Sequence, residues 1–348
     1  FGRTPEATAC RVAGICKQCQ VVACPDITRM DGFVNAFCRL IEKAVGVRFF
    51  KREHVEDFIK THATAWGNRG VSSHGYRYEQ GDSRGSGEMG TSVWNTIINL
   101  FMIFYAKWRE CRNFDVAWQF LLQKVVAGGD DSIVGDLSDA ALIQSARDVG
   151  FILKCPTFRR GEMGVNFLAR VYGPGVWEGS PNSMCSLRRQ MEKFHLTKGV
   201  PLSPVQKLFE KSLSFDLTDR NTPIIGKLTS RVLSLSGNMV STNQLSRWGD
   251  EFTREDQYPN YEEEWMEIVA RMELPLTNFN EFESWVETCR TLDELLSCPV
   301  LCEQGREFSY DDWDPEHGLL IARTCSVLGF KPVKSKNDGT RKGSVKSS

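Results

Sequence analysis

The hydrophobic pattern changes period several times along the first half of the chain. Residues 20–25 (QVVACP) are apolar and β-branched and predict a buried strand ending at Pro25 and Asp26. After Asp31, Phe33, Phe37, Leu40, Ile41, Ala44 and Val45 recur at helical spacing, with Gly46 as the expected stop. Seven glycines between Gly67 and Gly90 are too many for element interiors, so that stretch is expected to be loop, with a short ribbon near 71–78. Residues 89–109 return to helical period, with Val93, Ile97, Leu100 and Phe104 on one face, and a second helix is expected over 115–123. Short strands over 124–127 and 132–134 flank Gly128-Gly129-Asp130-Asp131, a hairpin with glycine where the turn requires unusual dihedrals. Ser138 is placed to cap a helix that Gly150 ends, residues 151–154 predict a strand, and a further strand pair is expected around 165–172. In order, this predicts an α+β fold with a β-α-β-β-α-β antiparallel sheet and helices on one face. That topology brings Asp26, at the end of the first strand, close to the tip of the Asp130 hairpin. Beyond about Gly175 the period is mainly helical, and from Lys331 the chain is Lys/Ser/Gly-rich without apolar spacing.

Composition narrows the class. With 348 residues, 41% hydrophobic and 25% charged, the chain has ample material for a core, which excludes a disordered or simple coiled-coil protein. The longest apolar stretch, about 97–105, is interrupted by Asn99 and falls short of the roughly 20 residues a membrane span needs. The chain starts at Phe1 without a signal pattern and is expected to be a piece of a longer polypeptide. Twelve cysteines are far below the density of disulfide-stapled folds. Cys10, Cys16, Cys19 and Cys24 contain a single CxxC, where a structural zinc site normally has two ligand pairs, so buried thiols are the favoured reading.

The net charge of −1 conceals an asymmetry. Residues 1–250 carry 32 Lys+Arg against 24 Asp+Glu, residues 251–318 carry 4 against 19, and the last 30 carry 7 against 1. A polyanionic partner is therefore expected to lie against the first portion, with the acidic stretch facing solvent or protein.

Two acidic sites about a hundred residues apart converge at neighbouring strand ends. Carboxylates there are suited to hold two divalent ions about 4 Å apart, which would activate an attacking 3′-hydroxyl and neutralise a leaving pyrophosphate. Without ions, like-charge repulsion opposes the arrangement. Between the two sites lies GSGEMGTSVWNTIIN, from Gly85 to Asn99. Thr91 and Asn95 are four apart and project from one helix face near its N-terminus, where unpaired amides favour phosphate.

With these segments in place, the chain resembles the RNA-dependent RNA polymerases of positive-strand RNA viruses, most closely the tombusvirus-like and nodavirus-like groups. The likeness rests on CPDITRMDG with Asp26 and Asp31, SGEMGTSVWN, and GGDD, in that order over residues 20–172. It implies a right-hand polymerase palm over 20–174, with part of the fingers inserted at 47–84 and a remnant of the fingers at 1–19. A helical thumb-like region over 175–330 and a basic tail over 331–348 complete the expected organisation. The resemblance further implies that Asp26 and Asp130 bind two Mg²⁺ or Mn²⁺ ions with Asp131 assisting. Asp31 and Asn95, with Ser86 or Thr91, would form the hydrogen-bonding set around the ribose 2′-hydroxyl of the incoming nucleotide, and Gly87 would belong to the same substrate-binding segment. Lys154 would protonate the departing pyrophosphate, and Arg170, in FLAR, would touch RNA phosphate.

The first 25 residues hold no basic segment of the kind the family uses to grip the triphosphate, so the fingers are expected to be largely missing. An upstream replicase region would supply them, and the isolated fragment is expected to be weakly active or inactive. Expected partners are RNA template, primer or product strand and ribonucleoside triphosphates. The expected location is the host cytoplasm, at membrane-associated replication sites reached through regions outside this chain. Two alternatives share these features: a reverse transcriptase, and a catalytically incomplete RNA-binding fragment. Gly129 before the paired aspartates and the polar Asp31 and Asn95, in place of a blocking aromatic, argue against the first.

Overall fold

Proline at position 25 determines how the central sheet is built. In the computed structural model, which describes residues 3–71, 75–85, 87–88, 90–192, 194, 203–239, 256–275 and 277–296, the first extended run is broken at Cys24-Pro25 into β1 (Val21–Ala23) and β2 (Asp26–Ile27). A proline cannot donate to a ladder, yet both pieces keep one antiparallel register against β6 (Asp131–Gly135), with Val22 opposite Gly135, Ala23 opposite Val134 and Asp26 opposite Asp131. On the other side the run pairs with β7 (Leu153–Lys154) and β8 (Thr157–Arg159), likewise two pieces in one register. β5 (Val125–Gly128) completes the hairpin with β6.

Helices fill the chain between these strands. α1 (Pro5–Gln18) precedes β1; α2 (Met30–Phe33), α3 (Ala36–Phe49) and α4 (Val55–Ala63) follow β2. A ribbon of β3 (Arg69–Val71) and β4 (Arg77–Glu79) leads to α5 (Thr91–Cys111) and α6 (Phe114–Lys124). α7 (Asp139–Val149) connects β6 to β7, capped by Ser138, whose Oγ accepts from Ala141 N, and ended by Gly150 in the left-handed conformation. A hairpin of β9 (Val165–Phe167) and β10 (Arg170–Tyr172) follows β8.

Strand alternation assigns the faces. Ala23, Val134 and Ile27 pack with Ile98, Met102 and Ile103 of α5 and with Leu142, Ala146 and Val149 of α7. The opposite face is also covered in part: a Cβ at Gly135 would run into Cys19 Sγ and Ile15 Cγ2, so α1 packs behind β6. The expectation of helices on one face alone is corrected by this packing. Asp131 and Asp26 share the face of Gly135, away from α5, because they lie an even number of residues along the register.

Two helices turn a different face inward than their apolar spacing predicts. In α3 Phe37 and Leu40 are exposed, while Cys38, Arg39, Glu42 and Gly46 are buried. In α5 Val93 is exposed, and the buried stripe is Asn95, Ile98, Asn99, Met102, Ile103 and Ala106. In both, a polar group is buried because it has a buried partner.

The chain divides into two compact units, Phe1–Ser183 and Met184–Ser348. The described part of the second unit is mainly helical, with α8 (Leu187–Met191), α9 (Pro204–Thr218), α10 (Ile225–Leu235), α11 (Glu264–Glu273), α12 (Phe279–Thr288) and α13 (Leu292–Leu296). Asp219 ties it together, accepting from Cys185 N at 2.8 Å and Thr222 Oγ1 at 2.9 Å. The expected tail at 331–348 lies outside the described residues.

Candidate active site

The four strands put a row of functional groups at one level of the sheet. Gly128 pairs with Asp131, Asp131 with Asp26, and Asp26 with Lys154. Directly opposed residues of an antiparallel pair have Cβ atoms about 4.5–5.5 Å apart and point to one face. Asp26 is thus held between a second carboxylate and an ammonium by backbone register alone. Asp130, one residue before β6, sits in the hairpin turn beside Gly129, whose φ of +70° is readily adopted only without a Cβ.

α5 anchors that turn. Buried Asn99 points its amide Nδ2 at the carbonyl oxygens of Gly129 (3.2 Å) and Asp130 (3.1 Å), and Thr96 Oγ1 accepts from Gly129 N at 2.8 Å. Thr96 gives no signal in the sequence, and Asn99 shows there only as a break in the apolar stretch. Thr96 directly follows Asn95 and Asn99 lies one helical turn beyond it, on a helix whose inward face the apolar pattern misplaces.

A cavity of about 650 Å³ opens beside the turn, lined by Asp31, Thr91, Asn95, Gly129, Asp130 and Arg29, among others. Thr91 is the first residue of α5, and its Oγ1 donates to Gly85 O at 3.4 Å. Asn95 is 5% exposed; its Nδ2 donates to Asp31 Oδ1 at 2.8 Å and its Oδ1 accepts from Arg84 Nε at 2.9 Å. Arg84 also binds Glu42, which accepts from Arg39 (3.1 Å) and lies 3.0 Å from the His62 ring. Burial pushes the Glu42 carboxyl up, but the His62 hydrogen bond and the Arg84 and Arg39 guanidinium groups outweigh it and hold the group below its ordinary value. Arg39, Glu42, His62 and Arg84 escape sequence reasoning because they are tied together across long separations, Glu42 to Arg84 over 42 positions.

The expected site residues do not all fall here. Asp26, Asp130, Asp131 and Lys154 share the sheet row and turn, and Asp31, Thr91 and Asn95 share the cavity wall. Gly87, with φ of +90°, is in the exposed loop before α5. Ser86 lies outside the described residues. Arg170 is a correction: it is 5% exposed, and its guanidinium donates to Ser183 Oγ and Ser183 O, each at 3.0 Å. It braces the strand Ser183–Cys185, which pairs with β10, and is not presented to a phosphate. The neighbouring Leu168 lines the cavity.

The donor set suits a hard divalent ion. Among the described residues neither the Asp26 nor the Asp130 carboxylate is engaged by a hydrogen bond or ion pair, and no three or more His, Cys, Asp and Glu side chains form a closed cage. An open pair of carboxylates is how proteins commonly hold Mg²⁺, which keeps waters and substrate phosphates in its shell. The Cys16, Cys19 and Cys24 thiols are buried, and burial pushes them up to about 12, 11 and 12, so they are protonated at neutral pH.

Comparison with known proteins converges on one class. The fold is like that of a human picobirnavirus RNA-dependent RNA polymerase in its insertion-loop deletion form, with a TM-score of 0.51, 14% identity, and 69% of this chain and 47% of that chain covered. At that identity the likeness shows a shared fold. The model of the viral RNA-dependent RNA polymerase family matches residues 2–183, more than half of the chain, and the chain belongs to that family. It is 28% identical over 261 residues to the RNA-directed RNA polymerase of Pariacoto virus, covering 74% of this chain and 25% of that protein. With the polymerase of striped jack nervous necrosis virus the identity is 31% over 205 residues, covering 58% of this chain and 20% of that protein. The chain thus spans about a quarter or less of the length of these relatives. Among the described residues no helix is long and apolar enough to cross a membrane.

Proposed function

We propose that this chain is the palm, with a helical thumb-like second unit, of a viral replicase that copies RNA. The reaction is nucleotidyl transfer from ribonucleoside triphosphates to an RNA 3′ end along an RNA template. The observation that carries this reading is the in-register pairing of Asp26 with Asp131, which brings two distant acidic segments together beside the Asp31–Asn95 pair.

In this reading Asp26 and Asp130 hold two Mg²⁺ or Mn²⁺ ions, with Asp131 assisting. When bound, such ions lower the pKa of the attacking 3′-hydroxyl and neutralise charge on the leaving pyrophosphate. The residues of the chain do the rest. Thr91 and Ser92, at the start of α5, line the cavity, where the positive end of the helix dipole favours the anionic phosphates. Asn95 and Asp31 take the ribose. The 3′-hydroxyl releases its proton to solvent water as its oxygen attacks the α-phosphorus, the bond to the β-phosphate oxygen breaks, and Lys154, exposed beside Asp26, passes a proton from Nζ to the departing pyrophosphate and regains one from solvent. Ser86 or Thr91 completes the hydrogen-bonding set around the 2′-hydroxyl, and Gly87 is part of the same substrate-binding segment. The fingers that would grip the triphosphate belong to an upstream replicase region, without which the fragment is weakly active or inactive. The setting is the host cytoplasm, at membranes reached through regions outside this chain.

The test is RNA primer extension on an RNA template by the full-length protein, comparing wild type with Asp130→Ala and ribo- with deoxyribonucleoside triphosphates. Loss of at least about a hundredfold in the variant is expected, with ribonucleotides preferred. Equal incorporation by Asp130→Ala would contradict the assignment, and a preference for deoxyribonucleotides would favour the reverse transcriptase reading.

A further inference from the structure

The ribose-reading pair does not orient itself. An amide can present either its oxygen or its NH₂ in a given direction, and only its neighbours decide which. Asn95 Oδ1 faces Arg84 Nε at 2.9 Å, and a guanidinium has donors and no acceptor, so the oxygen must lie on that side. The NH₂ is thereby turned toward Asp31, 2.8 Å away, and the cavity. One N–H goes to Asp31 Oδ1, and the second is directed as a donor. A 2′-hydroxyl, which offers an acceptor oxygen and a donor hydrogen, matches an amide N–H beside a carboxylate. A 2′-methylene offers neither.

What fixes Arg84 is Glu42, fully buried on α3. One Glu42 oxygen takes the Arg84 guanidinium, and the other is held by Arg39 Nη1 at 3.1 Å and the His62 ring at 3.0 Å. Arg39 is itself held by the carbonyls of Asp82 (3.0 Å) and Ser83 (2.9 Å), in the loop that carries Arg84. The Arg84 backbone N donates to Asp31 O at 2.8 Å, strapping that loop to the residue whose carboxylate reads the sugar. The carboxylate therefore cannot swing without breaking contacts on α3, α4 and the loop.

We propose that Glu42 and Arg84 are positioning residues for sugar selection: they lock the Asn95 amide in the one orientation that donates to a ribose 2′-oxygen. This rests on the polymerase reading above and assigns part of its specificity to a buried ion pair that never touches substrate.

The test uses the full-length protein in primer extension, with kcat and KM measured for a ribonucleoside triphosphate and its 2′-deoxy analogue. Glu42→Gln weakens the carboxylate's hold on Arg84. Arg84→Lys keeps the buried charge pair but removes the guanidinium fork, and it decides the matter if Glu42→Gln does not melt cooperatively. Each variant is expected to lower the ribo-to-deoxy ratio of kcat/KM by about tenfold, mainly through a higher KM for the ribonucleotide, with the deoxy values little changed. In an Asn95→Ala background neither should lower the ratio further. Equal losses for both substrates, or an unchanged ratio in variants that fold while Asn95→Ala lowers it, would overturn the positioning role and leave the polymerase reading intact. A wild type that extends no primer, or an Asp130→Ala variant that extends it as well, would overturn both.

Discussion

Glu42 shows how a side chain with no motif around it can govern a site. Its carboxyl is held below its ordinary value of 4.5. The stability this contributes is fully present above that value and is lost as pH falls through the lower, folded-state value. Thermal melts between pH 7 and pH 3 should therefore show an acid-side loss that is smaller in Glu42→Gln, although the variant is less stable at pH 7. Parallel curves would contradict the pairing. The residues proposed to bear the chemistry, Asp26, Asp31, Asn95 and Asp130, stand out in the sequence by type, order and spacing, and the structure sets Asp26 opposite Asp131 and Asp31 against Asn95. Arg84, Glu42 and His62 were not, because long-range pairing leaves no local pattern. Arg170 failed for a related reason: an arginine reads the same whether it faces a phosphate or the hydroxyl and carbonyl of Ser183.

Several element boundaries followed the local signals closely, but Gly46, the expected stop of α3, is buried inside a helix that runs on to Phe49. The helix ended by Gly150 stops at Val149, and the hairpin strands run Val125–Gly128 and Asp131–Gly135. Helix facing was the part not legible. A rule that turns the apolar stripe inward expects Leu100 in the core of α5, but Ile98 and Met102 are fully buried and Leu100 only partly. The stripe is rotated because Asn95 and Asn99 must reach Asp31 and the hairpin turn. Ile98→Ala should accordingly cost about 2–5 kcal/mol of unfolding free energy and Leu100→Ala clearly less; the reverse order in denaturant melts would contradict this packing. Asn99→Ala removes the side-chain donor from two turn carbonyls, at about 1–3 kcal/mol. It should lower kcat for nucleotide addition more than it raises KM, since it frees the turn that presents Asp130 while leaving the Asp31–Asn95 pair in place.

Over the whole molecule, charge and the division into units carry the expectations. Residues 1–250 hold 32 Lys+Arg against 24 Asp+Glu, and residues 251–318 hold 4 against 19. RNA affinity should fall steeply and linearly in log–log form as salt rises. Cross-links to bound RNA should map to the first unit and not to α11 or α12, whose helices are rich in Glu. Cross-links concentrated on those helices would contradict the charge argument. The succession β1, α3, α5, α6, β5, β6, α7, β7 in the first unit was legible because each local period is short, whereas α1, α4 and β8 were not expected. The α1 contact behind β6 was not, because it depends on Gly135 leaving room for Cys19 and Ile15. The central claim is that two acidic segments about a hundred residues apart share their ions. It is tested most directly by counting bound Mn²⁺ in the full-length protein by electron paramagnetic resonance, with a non-hydrolysable ribonucleoside triphosphate present. The account predicts two ions per chain in wild type and loss of both in Asp26→Asn/Asp130→Asn; undiminished occupancy in the double variant would contradict it.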